Sequence, residues 1–255
     1  MKIVVKVGTS SLAHTDGTTN ARQIDSICQV LSTLKEKGHQ VVLVSSGAIG
    51  MGVGKLGLPC RPDDMPTKQA AAAVGQCELM YTYDRLFAAH GIVVAQILLT
   101  GSDIHSGERL ANFQNTINRL LELGVLPVIN ENDTVATEEI VIGDNDTLAA
   151  IVAVNISADL LVLLSDIDGL YTDDPRRCQS AELISRVEHI DSELLAHASG
   201  SGSALGTGGM QTKVHAAQLC TAAGCDMIIS NGAHPELLYH IDDGQPFGTR
   251  FISQH

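Results

Sequence analysis

Three stretches of this chain carry side chains able to do chemistry: a glycine-rich segment ending in a lysine, a lysine inside an apolar run, and a short acidic and amide turn. The segment Gly200 to Lys213 reads GSGSALGTGGMQTK. Its glycines expose backbone N–H groups that can surround phosphate oxygens, and the helix that follows favours anions at its N-terminus. Lys213 falls in the first turn of that helix. A flexible surface loop is the commoner fate of a Gly/Ser-rich stretch, but here the glycines lead straight into a lysine-bearing amphipathic helix. The Gly-Lys-Ser/Thr ending of the general P-loop is absent, so the phosphate cradle is of another kind.

Lys6 interrupts the apolar run Lys2 to Val7, immediately before Gly8-Thr9-Ser10. A lysine near a core needs a charged partner or a ligand, whereas a lysine on an edge strand discourages aggregation. Periodicity leaves both readings open. The run Gly143-Asp144-Asn145-Asp146 precedes an alanine-rich helix, and a turn with an N-cap accounts for it. Three polar side chains nevertheless meet there. An Asp near two lysines would hold both ammonium groups, while an Asn and another Asp would bind the α-amino group of a substrate.

Gly52-Val53-Gly54-Lys55-Leu56-Gly57 matches G-x-G-x-x-G by count. It lies beyond the second apolar run and ends in Leu58-Pro59 without opening a helix, so we read it as a mobile loop, or small-residue packing beside Ser46 and Gly47, and not as a dinucleotide site. Met65, Cys77 and Met80 accompany a long helix containing Ala70 to Ala73 and suit core or subunit packing. No metal-binding pattern stands out, and the metal ligands are unassigned.

These residues must be positioned by short apolar runs that read as buried strands: Lys2 to Val7, Gln40 to Val44, Ile92 to Leu99, Val125 to Ile129, Leu160 to Leu164 and Met227 to Ile229. Helical spacing appears between them, over Asn20 to Lys37, Thr67 to Ala89, Ser106 to Leu123, Asp146 to Ile156 and Met210 to Ala223. The alternation predicts βαβ units and a mainly parallel sheet. Ligands of such sheets bind outside the carboxyl ends of the strands. Four polar corners gather there: Gly8 to Ser11, Ser45 to Ala48, Asn130 to Asp133 and Ser165 to Gly169.

With 255 residues, 44% of them hydrophobic, the chain can bury one large α/β core. Trp is absent and aromatics are 3%, so Val, Ile, Leu and Ala must fill it. A formal net charge of −13 argues against nucleic acid or an anionic membrane as partner. The six cysteines are scattered, with no C-x-x-C, as expected for reduced thiols in a cytoplasmic protein. No signal peptide or membrane-spanning run is evident.

The strings VVKVGTS, VSSGAI, VINENDTVAT, GDND, SDIDGLYTDDP and GTGGMQTK follow one another from Val4 to Lys213. This ordered set resembles the amino-acid kinase family. Asn-Glu-Asn-Asp and Gly-Thr-Gly-Gly-Met-x-Thr-Lys are the strings of its members that phosphorylate free glutamate, whereas Asp-Gly-Leu-Tyr-Thr-x-Asp-Pro is shared more widely. The resemblance implies a three-layer αβα sandwich with a mainly parallel central sheet, built as one domain over residues 1–255. Its N-terminal lobe, about 1–155, would bind glutamate, and its C-terminal lobe, about 156–255, would bind ATP with Mg²⁺.

By the same resemblance, Lys6 and Lys213 would contact the transferring phosphoryl group and Asp146 would organise them. Ser46, Asp133 and Asn145 would hold glutamate. Lys6, Ser165 and Asp166, with Thr207, Gly208, Gly209, Met210, Gln211, Thr212 and Lys213, would line the ATP site. The family further implies feedback inhibition by proline, for which the segment Gly50 to Lys68 is suspected, a functional link to a glutamyl phosphate reductase, and a homo-oligomer, dimer or tetramer. The chain ends soon after Phe251, so a form lacking the extra C-terminal PUA domain is expected. Relatives acting on N-acetylglutamate, aspartate, a nucleoside monophosphate or carbamate, and a sensing module without transfer activity, are the competing readings. Asn130 to Asp133 with Gly143 to Asp146 favours free glutamate over the former, and two retained lysines argue against the latter.

Overall fold

The computed structural model describes residues 1–13, 18–105, 107–135, 144–175, 177–192, 194–195 and 209–253. Each apolar run read from the sequence forms a strand: β1 Lys2–Val7, β2 Gln40–Ser45, β3 Val94–Leu99, β4 Leu126–Glu131, β5 Leu160–Ser165 and β7 Asp226–Asn231. Two short strands join them, β6 Arg186–Val187 and β8 Thr249–Phe251. Among the described residues the α-helices are α1 Thr9–Leu12, α2 Ala21–Glu36, α3 Ala48–Leu56, α4 Met65–Ala88, α5 Gly101–His105, α6 Gly107–Glu122, α7 Asn145–Asn155, α8 Met210–Ala222 and α9 His240–Asp243, with a 3-10 helix over Pro235–Tyr239. Ile92, expected in β3, instead closes α4. Its N–H donates to the Phe87 carbonyl at 3.1 Å past Gly91, whose φ is 69°, the geometry of a glycine-terminated helix end.

All eight strands form one sheet in the order β3-β4-β2-β1-β5-β7-β8-β6. It is parallel except where β8 runs antiparallel to β7. The chain leaves β1 for β2 on one side and later returns to β5 on the other, so β1 marks the switch point outside which α/β sheets bind ligands. The sheet continues across residue 155 through the β1–β5 pairing.

Strand alternation divides the core into two layers. Ile3, Val5 and Val7 face α2 and α4, along with Val41, Leu43, Tyr83 and Phe87. Val4 faces the opposite layer, with Val42, Val44, Leu148, Val152 and Ala217 from β2, α7 and α8. Lys6 has the parity of Val4, so its side chain projects toward α7 and α8. β1 pairs on both sides, with Lys6 opposite Val44 and Leu163. The edge-strand explanation for Lys6 is thereby overturned.

The expected loop at Gly52 to Gly57 is also corrected, because most of it lies in α3. Glycines lower helix propensity, but two of them permit a helix crossing too close for side chains. A Cβ at Gly52 would stand 1.8 Å from the Ala71 carbonyl oxygen, and one at Gly75 would stand 1.8 Å from that of Ala48. Small-residue packing, the other half of that expectation, is what the helix pair shows. Gly50 to Lys68 is thus helical at both ends, with residues 57–64 between them.

Candidate active site

Asp146 sits at the start of α7, where the Asp144 side chain caps the helix by accepting from the N–H groups of Asp146 at 2.8 Å and Thr147 at 2.9 Å. The cap fixes the first turn and turns Asp146 inward, leaving it 1% exposed. There Lys6 Nζ lies 2.6 Å from its Oδ1 and Lys213 Nζ lies 2.9 Å from its Oδ2. The Thr212 hydroxyl donates to the same Oδ2 at 3.3 Å. β1, α7 and α8 therefore deliver three charged groups from three distant parts of the sequence to one point.

Burial alone would raise the Asp146 pKa, but the two ammonium groups outweigh it and hold the carboxyl below its ordinary range. Asp146 thus holds two ammonium groups in a place with little water. Lys6 and Lys213 side chains are only 11% and 6% exposed. Two ammonium groups so placed suit an anionic ligand.

Next to this cluster lies a neutral network. Asn145 Nδ2 donates to Ser46 Oγ at 2.7 Å and lies 3.1 Å from the Ser45 carbonyl and 3.2 Å from Asn130 Oδ1. Asn130 in turn donates through Nδ2 to Gln76 Oε1 at 3.0 Å. Below it, the Ser45 hydroxyl and the buried Tyr83 hydroxyl are 2.9 Å apart. Gly47, with φ 93°, turns the chain from β2 into α3 and sets Ser46 at the carboxyl edge.

Asp133 follows β4 and is half-buried. Desolvation raises its pKa above the ordinary value, and the Arg61 guanidinium offsets this only in part. Ser46 and Asn145 thus meet directly, while Asp133 stands apart from their hydrogen-bond network. Gln76 is a member of the network that the sequence reading did not single out, and Asn130 entered it only as part of the polar corner Asn130 to Asp133. The available signal was a polar Gln76 in register with the core-facing Ala72, Leu79 and Tyr83 of α4.

On the other side of β1, Ser165 ends β5 and donates from Oγ to Asp166 Oδ1 at 3.1 Å. The turn beyond them is held against β8, because the Leu170 N–H donates to Thr249 Oγ1 at 2.7 Å and a Cβ at Gly169 would strike that oxygen. Gly209 precedes α8 without any side-chain cap. The free N–H groups of the first turn, around Met210, Gln211 and Thr212, give the helix end its partial positive charge beside Lys213. Thr207 and Gly208, with the rest of the glycine-rich segment before Gly209, lie outside the described residues.

No group of three His, Cys, Asp or Glu side chains with metal-binding geometry occurs among the described residues. Both oxygens of Asp146 face ammonium groups. This donor set fits a divalent ion carried on nucleotide phosphates and water, since Mg²⁺ often takes few protein ligands.

The sequence matches the Amino acid kinase family over residues 1–231. It is 50% identical over 254 residues to the glutamate 5-kinase of Clostridium acetobutylicum, covering 100% of this chain and 95% of that protein. It is 51% identical over 249 residues to the glutamate 5-kinase of Clostridium tetani, covering 98% and 93%. The glutamate 5-kinase of Myxococcus xanthus is 50% identical over 250 residues, with 98% of this chain and 66% of that longer protein covered. Among solved structures, the isopentenyl phosphate kinase of T. acidophilum superposes with TM-score 0.69 at 20% identity, covering 98% and 100% of the two chains. A Giardia lamblia carbamate kinase bound to AMP-PNP superposes with TM-score 0.68 at 17% identity, covering 99% and 98%. These two likenesses establish the shared fold.

Proposed function

The chain belongs to the amino acid kinase family, and from that premise we propose that it transfers the γ-phosphoryl group of ATP to the side-chain carboxylate of L-glutamate. The product is L-glutamyl 5-phosphate, and the reaction opens proline biosynthesis. The observation that carries this reading is the Lys6–Asp146–Lys213 cluster beside an amide and hydroxyl network, taken with full-length similarity to glutamate 5-kinases.

Phosphoryl transfer needs in-line positioning and positive charge around the phosphoryl oxygens. The acceptor carboxylate is ionised at neutral pH and needs no strong general base. The task is to bring two anions together. Lys6 and Lys213 offset their repulsion, and Asp146 fixes the spacing of the lysines. Because Asp146 stays ionised, it retains both ammonium groups between turnovers without sequestering their whole charge. Mg²⁺ bound to ATP would supply further charge neutralisation at the β and γ phosphates.

Glutamate would lie over Ser46 and Asn145, with its α-amino group toward Asp133. A raised carboxyl pKa suits that role, since an incoming ammonium compensates a carboxylate that the protein leaves poorly compensated. ATP would lie over Ser165, Asp166 and the start of α8, from Thr207 through Lys213. This assigns the amino acid to the lobe of about 1–155 and the nucleotide to that of about 156–255. No helix among the described residues is long and apolar enough to cross a membrane, and we assign the protein to the cytoplasm.

Acyl phosphates hydrolyse or cyclise readily, so a reductase consuming glutamyl phosphate is the expected functional partner. Exposed Tyr81 on α4 and Val93, next to edge strand β3, support a homo-oligomer. Proline as inhibitor would act at the glutamate end, with residues 57–64 beside it; activity unchanged at high proline removes that assignment.

The test is ATP consumption with Mg²⁺ in the presence of hydroxylamine, across glutamate, N-acetylglutamate, aspartate, carbamate and UMP. Hydroxamate from glutamate alone supports the reading. Turnover of another acceptor changes the substrate, and turnover of none points to a sensing module.

A further inference from the structure

Gln76 contributes a pair of buried amide hydrogens that nothing in the described structure accepts. The residue is 7% exposed, and its Nε2 has no hydrogen-bond partner. Its orientation follows from its neighbours. The backbone N–H of Glu131 donates to Asn130 Oδ1 at 2.9 Å, and a backbone N–H can only donate. Asn130 must therefore offer its Nδ2 to Gln76, which answers with Oε1 at 3.0 Å. Nε2 is left as the unsatisfied end, and an unmet buried donor is costly unless a ligand or water meets it.

We propose that Gln76 is a specificity-determining residue whose Nε2 donates to the α-carboxylate of the amino-acid substrate. This inference rests on the glutamate reading above. The polar path runs from the reacting charge cluster at Asp146 through its chain neighbour Asn145 to Asn130 and then Gln76. Gln76 stands at the end of that path opposite the charge cluster. The γ-carboxylate must lie at the cluster to react, so the substrate groups that reach toward Gln76 are those on the α-carbon. An α-ammonium is itself a donor and cannot satisfy Nε2, but it suits Asp133, three residues beyond Asn130. The α-carboxylate is the acceptor that remains.

The test uses the full chain with Gln76→Met, which keeps bulk and removes the donors, and Gln76→Glu, which keeps the acceptor facing Asn130 and replaces NH₂ by oxygen. The KM for glutamate should rise about 10- to 100-fold in each, the range for a lost hydrogen bond to a charged group, with the KM for ATP unchanged. Two competitive inhibitors locate the contact: glutarate, which lacks the α-amino group, and 4-aminobutyrate, which lacks the α-carboxylate. Inhibition by glutarate should weaken by the same factor as glutamate binding, while inhibition by 4-aminobutyrate stays as in the wild type. Equal weakening of both inhibitors, or a KM for ATP that moves with that for glutamate, overturns the proposal in favour of a structural role. An unchanged KM for glutamate overturns it in favour of a buried water. A wild type that forms no hydroxamate from glutamate defeats the parent reading first, and this one with it.

Discussion

Asp146 and Asp133 are both carboxylates withdrawn from water at the carboxyl edge of one sheet, yet their surroundings push them in opposite directions. Two lysines hold Asp146 below the ordinary carboxyl range, whereas Asp133 is raised by burial that Arg61 offsets only partly. One region is held together by its own protein charges and presents two ammonium groups to an anion. The other is incomplete until a cation arrives. Under the proposed assignment the difference suits two tasks, since a phosphoryl half must keep a fixed geometry through the reaction while an amino-acid half must gain affinity from its ligand.

The comparison is broken most severely by Asp146→Asn. Removing the carboxylate takes from two buried ammonium groups the anion they share, and loss of one member of such a cluster costs about 3–5 kcal/mol. Urea unfolding should show that loss together with loss of activity. In the wild type, a depressed pKa means that this stabilisation is fully present above the ordinary carboxyl range and fades as pH falls through the lower folded value.

Lys213→Ala should leave the fold in place and lower kcat about 10²–10³-fold, as removal of one donor to a developing oxyanion does. Single-turnover kinetics would separate this from slowed product release. Gly75→Ala attacks the neutral half through its scaffold, because the new methyl meets the Ala48 carbonyl. Overpacking of this kind costs about 1–3 kcal/mol, and the displaced α3 should raise the KM for glutamate more than that for ATP.

Asp133→Asn sharpens the contrast. A raised carboxyl pKa makes ionisation unfavourable in the folded state, so the substitution should leave the melting temperature unchanged or higher while the KM for glutamate rises. In the wild type, kcat/KM for glutamate should fall on acidification as Asp133 protonates, beginning above the ordinary carboxyl range, and this acid limb should vanish in the variant. The smallest effect is expected outside the site. Asp226 clasps Arg250 and Ser253 to β7, and Asp226→Asn should cost about 1 kcal/mol or less, as for part-exposed pairs, without altering either KM.

The major strands and the long helices were legible in the sequence because buried parallel strands leave unmistakable apolar runs. The grouping of Lys6, Asp146 and Lys213 was legible through the family resemblance, since the residues alone left Lys6 open to an edge-strand reading and Asp146 to an N-cap turn. α3 was not, because Gly52 reads as a helix breaker until the carbonyl of Ala71 is seen against it. β6 and β8, with two and three residues, are too short for a periodic pattern. The pairing of Asn130 with Gln76 was missed for a different reason. Their role depends on which amide faces which across β4 and α4, and no local pattern records that.

The division of labour between the two halves is tested most directly by measuring kcat and both KM values for Lys213→Ala and Asp133→Asn in the same hydroxamate assay. Lys213→Ala should lose kcat with the KM for glutamate nearly unchanged, and Asp133→Asn should raise the KM for glutamate with the KM for ATP unchanged. If both substitutions depress the same parameter by similar factors, the two carboxylates do not mark separate phosphoryl and amino-acid sites, and the account is wrong.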